Sequence, residues 1–167
     1  MAIRVFAYVK QFKIQVCFIA LLLTCSLACT AQPITVTPTQ PMAFGAFFQG
    51  STGGTVVISN TGVRSVTGSI TLANFGISYS AALFKVSASP LTAVEVLNGP
   101  DVNLTGSNGG TIKLHIGTPS TGILFLTTSG PPATTNVYFG GTLTVGAPTA
   151  NPSGSYSGTF QVTFLYE

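Results

Sequence analysis

From Gln32 to the end of the chain, short apolar stretches alternate with clusters of glycine, proline, asparagine and serine, and no stretch sustains a helical period with caps. The last stretch is the most regular. Tyr156, Phe160, Val162, Phe164 and Tyr166 share one parity, and Ser155, Ser157, Thr159, Gln161 and Thr163 share the other. Successive side chains on a strand point to opposite faces, so this pattern predicts a strand with one apolar and one polar face. Leu165 alone departs from it. Burying the apolar face contributes roughly 1.5–3 kcal/mol per large side chain before ordering entropy is subtracted. The C-terminal stretch is therefore expected to be a sheet element and not a loose tail.

Further strands are predicted at 34–37, 43–48, 55–59, 65–72, 81–87, 92–97, 102–105, 111–116, 123–126 and 137–145, rich in Val, Ile, Thr and Phe. Turn chemistry separates them: Gly50-Ser-Thr-Gly-Gly54, Asn60-Thr-Gly62, Asn98-Gly-Pro100, Ser107-Asn-Gly-Gly110, Ser129-Gly-Pro-Pro132 and the stretch from Ala147 to Pro152. Residues 118–136 carry the weakest pattern and read as a long surface excursion. Many short strands with regular turns predict an all-β domain, with a Greek-key β-sandwich as the expected architecture at this length.

The N-terminus differs in kind. Arg4, Lys10 and Lys13 form an acid-free basic region, Ile14 to Leu27 is mostly apolar, and Cys29-Thr30-Ala31 supplies small residues before Gln32. This is the pattern of a secretory signal peptide over residues 1–31 cleaved between Ala31 and Gln32, leaving one domain over 32–167. The apolar run is short for a bilayer, which needs about 20 residues, so no membrane span is expected after cleavage. Lipidation at Cys29 is the lesser alternative, because Ser26 stands where a lipoprotein signal has a branched apolar residue. The expected location is the periplasm, the cell surface or the medium.

Cleavage also removes Cys17, Cys25 and Cys29, all the cysteines of the chain, so no disulfide holds the remaining domain. Its charges are then Arg64, Lys85 and Lys113 against Glu95, Asp101 and Glu167, a formal balance of zero. That excludes the dense basic surface nucleic acids require. Catalytic groups are equally sparse. His115 is the sole histidine, and it shares parity with Lys113 opposite Leu114 and Ile116, the position of an exposed strand residue. Glu95 and Asp101 are the only internal carboxylates, and nothing in their spacing makes a glycosidase pair of them. The expectation is a non-enzymatic protein without cofactor or metal. Gly53-Gly54 and Gly140-Gly141 lack the strand–loop–helix context of a phosphate cradle and are expected at turns, bulges or close strand approaches. Arg64 is expected to be solvated or to cap carbonyl groups, with a subunit contact as the alternative. The Asn103-Leu-Thr105 tripeptide fits a glycosylation acceptor but carries little weight.

Met42-Ala-Phe-Gly45, Gly53-Gly-Thr-Val-Val-Ile58 followed by Gly62-Val-Arg-Ser65 and Gly68, Phe84-Lys-Val86, Gly140-Gly-Thr-Leu-Thr-Val-Gly146 and Gly154-Ser-Tyr-Ser-Gly-Thr-Phe160 occur in this order. Together they resemble the bacterial domain-of-unknown-function family 4402, a set of secreted, pilin-like proteins. Gly154 and the penultimate Tyr166 also resemble the terminal strand of pilin subunits assembled by the chaperone–usher route. What the resemblance implies is an immunoglobulin-like, fimbrial-type sandwich, with self-association or other pilin subunits, a periplasmic chaperone and an usher as expected partners. On this reading Gly154, Tyr156, Phe160, Val162, Phe164 and Tyr166 form the assembly strand. Ile34 and Val36, within 32–40, belong either to a donor segment, which Pro33, Pro38 and Pro41 make a poor one, or to the domain's own first strand. The alternative function is a secreted adhesin or carbohydrate-binding module, with Tyr79 and Tyr138 as the free aromatic candidates.

Overall fold

The computed structural model describes residues 33–166, so the expected signal peptide, its cleavage site at Ala31 and Gln32, the cysteines and Glu167 lie outside the described residues. The described chain contains strands and no helix. In chain order they are β1 (Thr35–Gln40), β2 (Ala43–Phe44), β3 (Ala46–Ile58), β4 (Arg64–Ala73), β5 (Tyr79–Ser80), β6 (Ala82–Ser87) and β7 (Ala93–Asn98). They continue with β8 (Val102–Gly106), β9 (Thr111–Ile116), β10 (Leu124–Leu126), β11 (Thr135–Phe139), β12 (Gly141–Val145), β13 (Tyr156–Ser157) and β14 (Val162–Tyr166).

The strands pair antiparallel into a six-stranded sheet, β13-β8-β9-β12-β3-β4, two three-stranded sheets, β1-β6-β11 and β10-β7-β14, and the small pair β2-β5. The alternation predicted from sequence is realised on the strands that build the core. In β9, Ile112, Leu114 and Ile116 are buried and Thr111, Lys113 and His115 exposed. Val56 and Ile58 of β3, Leu143 and Val145 of β12, Val86 of β6 and Val137 and Phe139 of β11 join them in one apolar cluster. The fold is a β-sandwich.

The two three-stranded sheets face each other. Phe84 and Phe139, on the inner side of β1-β6-β11, meet Phe164 of β14 with ring centroids 5.9 and 6.3 Å apart. Their outer faces therefore point in opposite directions.

Three expected elements differ in detail. The predicted turn at Gly50–Gly54 does not reverse the chain; β3 runs through it, and the ladder to β4 slips between Gln49 opposite Ile70 and Gly54 opposite Gly68. The residues between form a bulge. Ser69 stitches it by donating to the Gly53 carbonyl at 3.1 Å and accepting from the Thr52 amide at 3.2 Å. Gly53 has φ +72°, and a Cβ there would collide with the carbonyls of Val145 and Gly146, so the glycine serves a bulge and a close approach together. The predicted strand 137–145 is divided at Gly140, because β11 pairs with β6 while β12 pairs with β9 and β3. The excursion at 118–136 is pinned by Thr127, 1% exposed, whose hydroxyl donates to the Ser89 carbonyl and accepts from the Thr92 amide at 3.1 Å.

Candidate assembly interface

The terminal apolar parity is realised, but over two strands. β13 pairs with β8 in the six-stranded sheet, and β14 pairs with β7 in a three-stranded one. The chain between them, 158–161, crosses from one sheet to the other, held by the Gly99 amide donating to the Gln161 carbonyl at 2.9 Å. The expected assembly strand is thus divided by position. Gly154 lies in the turn before β13, where the Ser155 amide donates to Ser107 Oγ at 3.1 Å. The Tyr156 hydroxyl donates to the Pro152 carbonyl at 2.7 Å and closes that turn. Phe160, Val162 and Phe164 instead pack against the core between the facing three-stranded sheets, and Tyr166 lies on the same face of β14, opposite Val94 in the ladder.

β14 has a ladder partner on one side only among the described residues. Its inner-face residues are less covered than the β7 residues opposite them. Val96, opposite Phe164, is 2% exposed, and Val94, opposite Tyr166, is 0% exposed. Phe164 and Val162 are half-buried, and Tyr166 is 45% exposed. The aromatic cluster below is well formed, with Phe84 and Phe139 at 5.4 Å and 83°, and Phe84 and Phe160 at 6.4 Å and 77°, edge-to-face geometries that add to area burial. It is nevertheless covered from β7 outward and open toward the free edge. Alternate backbone N–H and C=O groups of an edge strand face outward without a ladder partner.

Leu165, the single departure from parity, lies on the outer face, 46% exposed, in a ladder row with Glu95 and Leu124. Leu97 and Leu126 are exposed on the same face. The departure thus belongs to an apolar outer surface. Sequence gave no sign of it, because Leu97, Leu124 and Leu165 come together only through the pairing of β10, β7 and β14.

Ile34 and Val36 pack against the core. Within this chain, Thr35–Gln40 pairs with β6, and the register slips between Pro38 and Gln40, the place where a proline withholds its amide.

Arg64 caps carbonyls, one of the two roles expected for it. Its Nη1 donates to the Phe44 and Ala46 carbonyls at 3.0 and 3.4 Å, and its guanidinium lies 4.4 Å from the centre of the Tyr79 ring. Tyr79 is 48% exposed and Tyr138 half-buried. Phe48 and Phe75 form an exposed edge-on pair at 5.6 Å that sequence reading did not single out, because they join through the β3–β4 pairing and the loop after it.

His115 sits on the exposed face of β9, where its Nδ1 donates to Asp101 Oδ1 at 2.7 Å, while Lys113 Nζ lies 3.0 Å from Asp101 Oδ2. The hydrogen bond from His115, then that from Lys113, holds the Asp101 carboxyl below its usual range. This is a solvated charge cluster. Among the described residues no group of three or more His, Cys, Asp or Glu is placed to hold a metal ion, and no helix is long and apolar enough to cross a membrane.

The geometry defines a β-sandwich whose C-terminal strand leaves one edge open above a partly covered aromatic cluster. The chain belongs to the family described as domain of unknown function (DUF4402), which matches residues 34–166. No curated protein and no solved structure matches it.

Proposed function

We propose that this protein is a non-enzymatic, exported structural subunit of a bacterial surface assembly, joined to its neighbours by β-strand addition at the open edge of β14. The observation that carries the reading is the contrast across one ladder: Val94 and Val96 are covered, while beside them Tyr166 is 45% exposed and Phe164 only half-buried. An extended segment with alternating apolar residues, laid along β14, would satisfy its outward amides and cover Val162, Phe164 and Tyr166 together. Main-chain bonds supply affinity in this mode, and the alternating pockets supply register. A chaperone and an usher are the expected partners before assembly, because an open apolar edge is an aggregation hazard during export.

Val162→Lys tests this reading. An inward-pointing charge on an edge strand opposes pairing by a further strand. Assembly, followed by light scattering with thermal unfolding as the control for folding, should be lost in a variant that still folds. Undiminished assembly by a folded Val162→Lys protein would overturn strand addition at this edge.

A second reading, an adhesin, is favoured by the exposed Phe48–Phe75 pair and the Arg64-stacked Tyr79. Glycan-array binding lost on Tyr79→Ala or Phe75→Ala would support it, and an array without binding would remove it.

A further inference from the structure

The outer faces of the two facing three-stranded sheets each carry one charge at the centre. On β1-β6-β11 it is Lys85 of the middle strand, in the ladder row Thr37–Lys85–Asn136. On β10-β7-β14 it is Glu95 of the middle strand, in the row Leu124–Glu95–Leu165. Both are exposed, and neither has an ion-pair partner among the described residues, whereas Lys113 is already bound to Asp101. The charges are opposite in sign and, because Phe84 and Phe139 meet Phe164 between the sheets, the two faces look away from each other.

We propose that these faces form a head-to-tail contact between copies of this chain, with Lys85 of one copy set against Glu95 of the next. The Glu95 face is unusually apolar for a solvated sheet surface: Leu97, Leu124, Leu126 and Leu165 are 44%, 63%, 58% and 46% exposed. Contiguous exposed apolar surface rimmed by polar residues marks an interaction site. Opposite Glu95, the Lys85 face offers a lysine stem, Leu83 and Tyr138 on neighbouring rows, and threonine methyl groups from Thr35 and Thr37. A lysine stem covers apolar surface while its ammonium reaches a carboxylate. Glu95 without a cation would be costly to cover with leucines alone, so the pair sets register as much as affinity. A contact that joins one face to the opposite face is heterologous, and repetition stacks copies through the thickness of the sandwich. This surface is distinct from the open ladder edge of β14 and does not depend on strand addition.

A charge swap tests it. In sedimentation velocity on the purified protein, Lys85→Glu and Glu95→Lys should each weaken self-association about tenfold, by setting like charges against each other. The double variant, which restores opposite charges across the same contact, should recover to within about threefold of the native chain. High salt should weaken the native contact and bring the variants closer together. A native protein that stays monomeric at every concentration, single variants that associate like the native one, or a double variant no better than the singles would overturn the proposal. Repeating the series in Val162→Lys separates the two contacts. Association that persists there and responds to the swap supports the face contact even if strand addition fails; association insensitive to the swap overturns it even if strand addition holds.

Discussion

Phe164, on the edge strand β14, sets its ring edge-on to Phe139 of β11, with centroids 6.3 Å apart and ring planes at 89°. Phe139 is 0% exposed and Phe164 is half-buried, so this pair marks the boundary between a closed and an open part of the core. Removing the ring from that boundary should cost stability without collapsing the fold. Phe164→Ala is expected to lower the unfolding free energy by about 2–3 kcal/mol, toward the low end of aromatic truncations because the site is partly wet. Chemical denaturation would measure it.

Arg64 ties three elements together, capping the Phe44 and Ala46 carbonyls and covering Tyr79. Arg64→Ala leaves those carbonyls without the cap and is expected to cost about 1–3 kcal/mol. Arg64→Lys should recover only part of the loss, because one ammonium lacks the planar fork and the stacking surface. Equal stability of the lysine and arginine proteins would contradict the assigned role.

Gly45 lies under that guanidinium with φ +68°, and a Cβ there would press on Arg64 Nη1 and sit 3.3 Å from the Ile77 carbonyl. Gly45→Ala should therefore destabilise by about 1 kcal/mol or more, opposite to the stabilisation an alanine brings at an ordinary φ. Combined with Arg64→Ala, the cost should be less than additive, which a double-mutant cycle on unfolding free energies would read.

Thr127 fastens the 118–136 excursion through hydrogen bonds to Ser89 and Thr92. Thr127→Val keeps the shape but removes one donor to the Ser89 carbonyl, which keeps the Thr92 hydroxyl at 2.8 Å, an expected cost of about 0.5–1.5 kcal/mol. Hydrogen exchange should rise first at residues 89–92 and 124–128, which surround the lost bonds.

Asp101 sets a small acid limit. Its carboxyl is held below the usual 3.8 by the hydrogen bond from His115 and then by that from Lys113. A depressed carboxyl pKa in the folded state favours folding above the unfolded value, and the contribution is lost as pH falls through that value toward the folded one. The native protein should therefore lose its advantage over Asp101→Asn as pH drops below about 4. Thermal midpoints of the two proteins across this range would show it, and a constant difference would contradict it.

Much of this was legible from alternation. The parity of Ile112, Leu114 and Ile116 against Lys113 and His115 placed β9 correctly, because a strand packed on one face sorts its residues by period two. The terminal parity from Tyr156 to Tyr166 was equally legible, but its division between two sheets was not. That depends on which strands pair with β13 and β14, a long-range property that local pattern does not encode. Gly50–Gly54 read as a turn because glycine serves bulges and reversals alike. Leu165 stood out as the one departure from the terminal parity, but its place beside Glu95 and Leu124, like that of Lys85 between Thr37 and Asn136, comes from the rows that register assembles.

The most direct measurement is hydrogen exchange at Val162–Tyr166 in free and assembled protein. Alternate amides there, those pointing away from β7, should exchange rapidly in the free chain and become protected on assembly, as a further strand bonds to them. Assembled material in which those amides still exchange at the free-chain rate would contradict assembly through the open edge of β14.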